Sequence, residues 1–260
     1  ANEVARIEAK YPNALSSEQL FELFDHFKYI VPQGSPMTGI GNDYQVASLS
    51  NCFVIGIDGS ADSYGAIIKI DEEQVQLMKR RGGVGHDLSH IRPKGSPVKN
   101  SALTSTGLVP FMERYSNSTR EVAQDGRRGA LMLSVSIKHP DSEAFIDAKM
   151  TEGKVTGANV SVKLDDAFMS AAVEGRKYTQ QYPIDSDHPT TVKEIEASNL
   201  WKKIVRQNPV YCSGIPLFAN QCPTVMRTWD IKRFRQTLVV KFHYAPTILA
   251  DCWPSIYIHT

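Results

Sequence analysis

The feature that most restricts how this chain can fold is a repeated change of period. Short apolar runs of strand type alternate with longer stretches whose apolar residues recur every three or four positions. Phe53–Ile57, Ala130–Ile137 and Ala158–Leu164 are of the first kind. Between them, residues 62–80 carry Ile67, Ile68, Ile70, Val75, Leu77 and Met78, and residues 104–122 carry Leu108, Phe111, Met112 and Tyr115, spacings that predict helices. Pro140 opens a short helix that runs to Lys149, and Asp165 or Asp166 caps the next one. Strands that alternate with helices imply an α/β architecture with parallel strands. The uninterrupted apolar run Phe53–Ile57 predicts a strand buried on both faces.

The two ends of the chain read differently. Residues 2–29 have helical spacing, with Leu20, Phe21 and Phe24 on one side and Ser16 or Ser17 as the N-cap. Residues 29–42 are punctuated by Pro and Gly and read as a loop or short strand. Glu194–Val205 is an amphipathic helix, and after Val205 no period is sustained. The segment 206–260 holds two of the three tryptophans and three of the four cysteines. The expected division is therefore an N-terminal helical segment (1–40), an α/β body (41–205) and an irregular tail (206–260).

Composition removes several classes of function. A net charge of +1 gives no field that would attract nucleic acid or a membrane surface. No apolar run approaches the ~20 residues that span a bilayer, and the first residues lack the apolar core of a signal peptide, so the expected location is cytoplasmic. Four cysteines are too few for a disulfide scaffold in a chain this long, and their spacing is unlike that of a zinc site. His86 and His90 are four apart, a spacing that suits a metal only on a helix. Glycines precede them and Pro93 follows, so no metal site is expected.

Three places could carry chemistry. Cys52 stands alone in the first 205 residues, at the head of a strand. It is either a small core residue or a redox thiol. Ser50 and Asn51 before it could hydrogen-bond a substrate phosphate or sugar hydroxyl. Gly82, Gly83 and Gly85 form a glycine-rich turn, which either serves the turn alone or lets the backbone approach a nucleotide closely. It is neither GxGxxG nor a Walker loop. Lys94 and Lys99, which follow it, could face phosphates or simply be solvated. Gln124, Asp125, Gly126, Arg127, Arg128 and Gly129 form a loop whose paired arginines match phosphate geometry, or a solvated turn.

Read together, VPQGSPMTGIGN, SLSNCFVI, GGVGHDLSHIRPKGSPV, DGRRGALMLSVSIKHPDSEAFIDAK and TGANVSVKLDDAFM resemble the catalytic (large) subunit of ribonucleotide reductase over residues ~10–205. The wording is most similar to adenosylcobalamin-dependent, class II enzymes. The resemblance implies the first part of a ten-stranded α/β barrel, incomplete in this chain. It implies that Cys52 is one of two thiols that reduce the substrate 2′-carbon and become a disulfide. Ser50, Asn51, Gly82 and Gly83 would lie at the ribonucleotide substrate. Lys94, Lys99 and Gln124 to Arg128 would bind or report a nucleoside triphosphate effector, a dNTP or ATP. It further implies adenosylcobalamin as cofactor, a thioredoxin-like reductant and, as an option, a homodimer. Many relatives carry an acidic residue seven positions after this cysteine; here that position is Gly59, with Asp58 and Asp62 nearby. A nucleotide- or partner-binding fragment without turnover, and an unrelated α/β enzyme using Cys52 alone, are the alternatives.

The family also uses an Asn-x-Cys-x-Glu element, which supplies the radical cysteine and a general base. This chain lacks it. Its tail, back-translated and read one base earlier from a codon for Arg235, can spell TNPCGEIPL over Gln236–Tyr244. Three neighbouring stretches become family-like in the same frame and in the right order. Residues 206–260 are therefore expected to be an out-of-frame translation. Sequencing the coding DNA across Val205–Thr260 checks this. The expected result is a shifted frame that encodes Asn-Pro-Cys-Gly-Glu, and no such frame would mean a genuine tail.

Overall fold

The computed structural model of the chain describes residues 1–32, 34–56, 62–124, 127–207, 217–219 and 256–258. In chain order the elements are α1 (Asn2–Glu8), α2 (Ser17–Phe24), β1 (Ile30–Pro32), α3 (Ser35–Gly39), β2 (Cys52–Val54), α4 (Tyr64–Met78), β3 (Gly83–Asp87) and α5 (Val109–Glu121). There follow β4 (Ala123–Gln124), β5 (Arg127–Arg128), β6 (Leu131–Ser136), α6 (Ser142–Met150), β7 (Asn159–Leu164), α7 (Asp166–Glu174), β8 (Lys177–Tyr182), β9 (Thr191–Glu196), α8 (Ala197–Gln207), β10 (Leu217–Ala219) and β11 (Ile256–Ile258).

The body is a five-stranded sheet in the order β10-β7-β6-β3-β2, with every neighbouring pair parallel. The α/β expectation holds, and the five described strands form an open parallel sheet. Register separates its two faces, because paired residues of parallel strands point the same way and successive residues alternate. Val84, His86, Leu131, Leu133, Val135, Val160, Val162 and Leu164 share one face. All are buried, packed with Ile67, Met78, Met112, Tyr115, Phe145 and Ile146 from α4, α5 and α6. The other face carries Cys52, Gly83, Gly85, Asp87, Met132, Ser134, Ser136, Asn159, Ser161 and Lys163. It is a face of small and polar side chains.

Local signals explain several ends. Ser16 accepts from Gln19 N–H while Gln19 reaches back to Ser16 N–H, a complete capping box for α2. Ser63 caps α4 and Asp165 caps α7 by accepting from Ala66 N–H and Phe168 N–H, without the reciprocal bond. Gly175, at φ 69°, ends α7 in the left-handed region.

Other expectations are corrected. The helical reading of 2–29 breaks between Glu8 and Ser17, and residues 35–39 form a short helix, not a loop. The strand read as buried on both faces is the outermost of the described sheet and only half-buried. Gly83 and Gly85 belong to a central strand, not a turn. The hairpin β8–β9 was not foreseen, and it moves the start of the last helix from Glu194 to Ala197. Two three-residue pieces of 206–260 are paired. Leu217–Ala219 runs parallel to β7, and Ile256–Ile258 antiparallel to β1.

His86 joins three elements of the apolar side. Its Nε2 lies 3.1 Å from Gln74 Oε1, whose Nε2 donates to Tyr115 O and Thr119 Oγ1, and its ring stands edge-on to Tyr115 at 4.4 Å. Burial pushes its pKa down to about 3, opposed by the nearby Asp87 charge. His139, which accepts from Asp141 N–H and bonds Ile91 O, is lowered too, chiefly by burial. A group held neutral in the fold but protonated when unfolded costs stability as pH falls through its unfolded value. The loss from His86 therefore begins near pH 6.5 and continues to about 3. Urea unfolding at pH 7.5 and pH 5.0 should show a loss of about 2 kcal/mol from this residue, and His86→Phe should flatten the dependence.

Candidate functional site

The amino-terminal edge of the sheet gathers the residues singled out around Cys52. Cys52 pairs with Gly83, and Gly83 N–H donates to Asn51 O at 2.6 Å. A Cβ on Gly83 would lie 3.5 Å from Cys52 Sγ, 3.4 Å from Ala130 Cβ and 3.3 Å from Asn51 O. The thiol thus sits on the small, polar face, where the glycine leaves room beside it. A Cβ on Gly82 would meet the Phe53 ring at 2.7 Å and Leu77 O at 3.1 Å. This glycine lets α4 turn back against β2.

Asn51 does more than flank the thiol. Its Oδ1 accepts from Ser35 N–H at 2.6 Å, and Ser35 Oγ donates to Arg81 O at 3.0 Å. Ser35 is fully buried. Its importance had no signal in the sequence beyond its place in the GSP turn. Ser50 is exposed and uses its N–H on Ser48 Oγ. Of the expected substrate residues, Asn51, Gly82 and Gly83 are brought together with Cys52, while Ser50 turns to the surface.

The residues expected to meet an effector do not form one cluster. Asp125 and Gly126 lie outside the described residues, and of Gln124, Arg127 and Arg128 the backbone alone is described, as the short antiparallel pair β4–β5. That pair leads directly into Ala130, beside Gly83, at the Cys52 edge. Lys94 and Lys99 are exposed and lie beyond the far end of β3. Five residues of strand, roughly 13 Å at 3.3 Å per residue, separate the two edges.

The far edge is a rigid assembly that sequence reasoning did not find. Asp62 accepts from Arg92 N–H and Arg92 Nε, at 2.9 and 2.8 Å, and from the Tyr182 hydroxyl at 3.0 Å. Asp141 Oδ2 accepts from the N–H groups of Lys94 and Leu108. The loop 88–108 is thereby tied to α4, to α6 and to the β8–β9 hairpin. Asp58 and Gly59 lie outside the described residues, and Asp62 is committed to Arg92 and Tyr182. On the sheet's polar face, Lys163 Nζ meets Asp87 Oδ2 at 2.5 Å, and Asp87 Oδ1 accepts from Ser89 and Ser134 hydroxyls.

Among the described residues, no group of three His, Cys, Asp or Glu could hold a metal ion, and no helix is long and apolar enough to cross a membrane. A groove of about 640 Å3 lies between α4 and α5, lined by Asp71, Glu72, Glu113, Arg114 and Glu121 among others. It belongs to the helical layer and not to the face that carries Cys52.

Comparison with known proteins adds a family. Residues 50–223 match the model of the ribonucleotide reductase barrel domain. A vitamin B12-dependent ribonucleoside-diphosphate reductase of Mycobacterium tuberculosis is 31% identical over 173 residues, covering 65% of this chain and 24% of that protein. A protein of the same name from Thermoplasma acidophilum is 31% identical over 182 residues, covering 68% and 22%. A ribonucleoside-diphosphate reductase subunit alpha of Bacillus subtilis is 27% identical over 166 residues, covering 61% and 15%. The chain spans less than a quarter of the length of these curated relatives.

The glycines allow a direct test of this geometry. Gly82→Ala should destabilise by about 1–3 kcal/mol, because its Cβ must displace an aromatic ring or a helix carbonyl. Gly65→Ala, in α4 with open space around it, should be neutral or stabilise by up to about 1 kcal/mol. Urea denaturation of the two variants beside the parent chain checks the contrast.

Proposed function

The chain belongs to the ribonucleotide reductase family through its barrel domain, and from that membership we propose that the intact protein reduces ribonucleotides to deoxyribonucleotides by radical chemistry. The observation that carries the reading is the setting of Cys52. A half-buried thiol stands at the head of a strand, on the polar face of a parallel sheet, next to a glycine whose missing side chain leaves a place beside it. In this reading Cys52 and a second thiol together supply two electrons and two protons. The ribose 2′ C–O bond breaks, a C–H bond forms, water leaves, and the thiols end as a disulfide. A thioredoxin-like dithiol would return the pair to the reduced form.

Adenosylcobalamin, the cofactor that the B12-dependent relatives' names carry, supplies a carbon-centred radical when bound. The groove between α4 and α5 does not fit a corrin: Asp71, Glu72, Glu113 and Glu121 line it, and it lies away from Cys52. Nucleotide effectors, and a homodimer as an option, belong to the same reading, with Lys94 and Lys99 as effector contacts and residues 124–128 as the segment that reports between effector and substrate.

The chain as it stands is proposed to be inactive. Residues 1–205 contain one thiol, and no cysteine sits in an Asn-x-Cys-x-Glu context. The pure chain, incubated with ribonucleoside di- or triphosphates, adenosylcobalamin and dithiothreitol, should form no deoxynucleotide. The protein from a frame-restored gene should form it, and Cys52→Ser in that protein should lower turnover with dithiol reductants at least about a hundredfold, the usual order for losing a reacting group. Turnover by the unrestored chain, or full turnover by the restored Cys52→Ser protein, would overturn the reading. Saturable dNTP binding by the chain without turnover would mark it instead as an effector-binding fragment.

A further inference from the structure

We propose that Asn51 is the positioning residue of the Cys52 thiol, an inference that rests on the reading of Cys52 as a redox group. β2 is only three residues long and stands at the edge of the described sheet, so β3 holds it along one side. On such a strand, little of the backbone ladder opposes fraying. Asn51 supplies the missing restraint. Its carbonyl accepts from Gly83 N–H, which ties it to β3, and its carboxamide oxygen accepts from Ser35 N–H, sixteen residues upstream. Ser35 Oγ closes the circuit by donating to Arg81 O, two residues before Gly83. A second link runs from Ser48 N–H to Arg80 O at 2.8 Å.

The 34–35 turn is shaped to this task. Gly34 has φ +57°, and any Cβ there would collide with the Asn51 carboxamide. The side chain therefore lies flat against backbone that only glycine supplies. Arg81, at φ 67°, is held on the other side by Thr38 Oγ1, which accepts from its Nη1 at 3.0 Å. The ring Asn51–Ser35–Arg81–Gly83 lies directly before the first residue of β2, which is Cys52.

The residue type follows from the neighbour. An aspartate would offer the same acceptor to Ser35, but its charge beside the thiol would disfavour the thiolate, the reactive form. An amide provides the acceptor without the charge. A leucine has the shape and no acceptor.

The test reads the thiol itself, in the full chain. Alkylation of Cys52 by iodoacetamide is followed against pH, with the Cys52 peptide resolved from those of Cys212, Cys222 and Cys252 by mass. Asn51→Leu should raise the high-pH plateau about tenfold, the factor that one lost hydrogen bond of ordinary strength gives to local opening. Asn51→Asp should keep the plateau within about twofold of the parent and move the profile to higher pH. Ser35→Ala, which breaks the circuit at Arg81 and keeps the N–H on Asn51, should raise the plateau by a smaller factor, and it carries the test if Asn51→Leu does not fold. Val162→Ala, in the apolar core, should lower the urea midpoint without accelerating Cys52. An unchanged plateau in Asn51→Leu, no rescue by Asn51→Asp, or an equal acceleration in Val162→Ala would overturn the proposal. None of these readouts needs turnover, so a failed positioning role and a failed reductase reading are separate results.

Discussion

A parallel sheet has to be covered on both faces, and this constraint governs the rest of the molecule. Helical crossovers cover one face as a matter of course, since each parallel connection must pass over the sheet. Here α4, α5 and α6 bury Val84, Leu131, Leu133, Val135, Val160 and Val162 against their own apolar sides. The other face carries Gly83, Gly85, Ser134, Ser136, Ser161 and the Asp87–Lys163 pair, with Cys52, Val54 and Met132 among them. Such a face has far less apolar surface to bury than the first. It suits contact with polar matter, either backbone or ligand, and the small side chains set how closely that matter approaches.

The two ends of the strands serve different ends of the problem. At the carboxyl end, Asp62, Asp141 and Asp87 consume backbone N–H groups, an arginine, a tyrosine hydroxyl and a lysine. These contacts fix the loop 88–108 beside its three core side chains, Leu88, Ile91 and Leu108. At the amino end the contacts are fewer and shorter in range, and they converge on one cysteine. A stiff far edge and a locally tied near edge let the thiol's position depend on a few residues without loosening the core.

Much of the body was legible from the sequence because the apolar layer writes itself into the spacing. Ala130–Ile137 and Ala158–Leu164 read as strands, 62–80 and 104–122 as helices, and Ser16 and Asp165 as caps, since each signal is local. β3 was not legible. Gly82-Gly-Val-Gly85 reads as a turn, because the reasons for Gly82 and Gly83 are the Phe53 ring for the first and Cys52 Sγ and Asn51 O for the second, all distant in sequence. The hairpin β8–β9 was hidden for the opposite reason. Its inward positions include Gln180, which is buried because its Nε2 bonds Ile137 O and Ser142 Oγ, and a glutamine carries no apolar signature. At the site, Cys52 was visible as a solitary thiol and its glycine neighbours as a cluster, but Ser35 and Asp141 act through backbone groups that no motif records.

Asn51 shows what the motif reading lacked. By type and place it resembles a residue waiting for a substrate, and its neighbour Ser50 does face outward. The carboxamide instead points inward, to a serine N–H on a turn that would otherwise be an unconstrained connection. Edge strands gain order from whatever ties their ends, and here a side-chain acceptor just before the strand binds it to the start of α3. The consequence reaches chemistry through geometry. A thiol at the first residue of a strand keeps its position only as well as that strand's beginning is held, and a carbonyl and a carboxamide of the same asparagine both help to hold the beginning of β2.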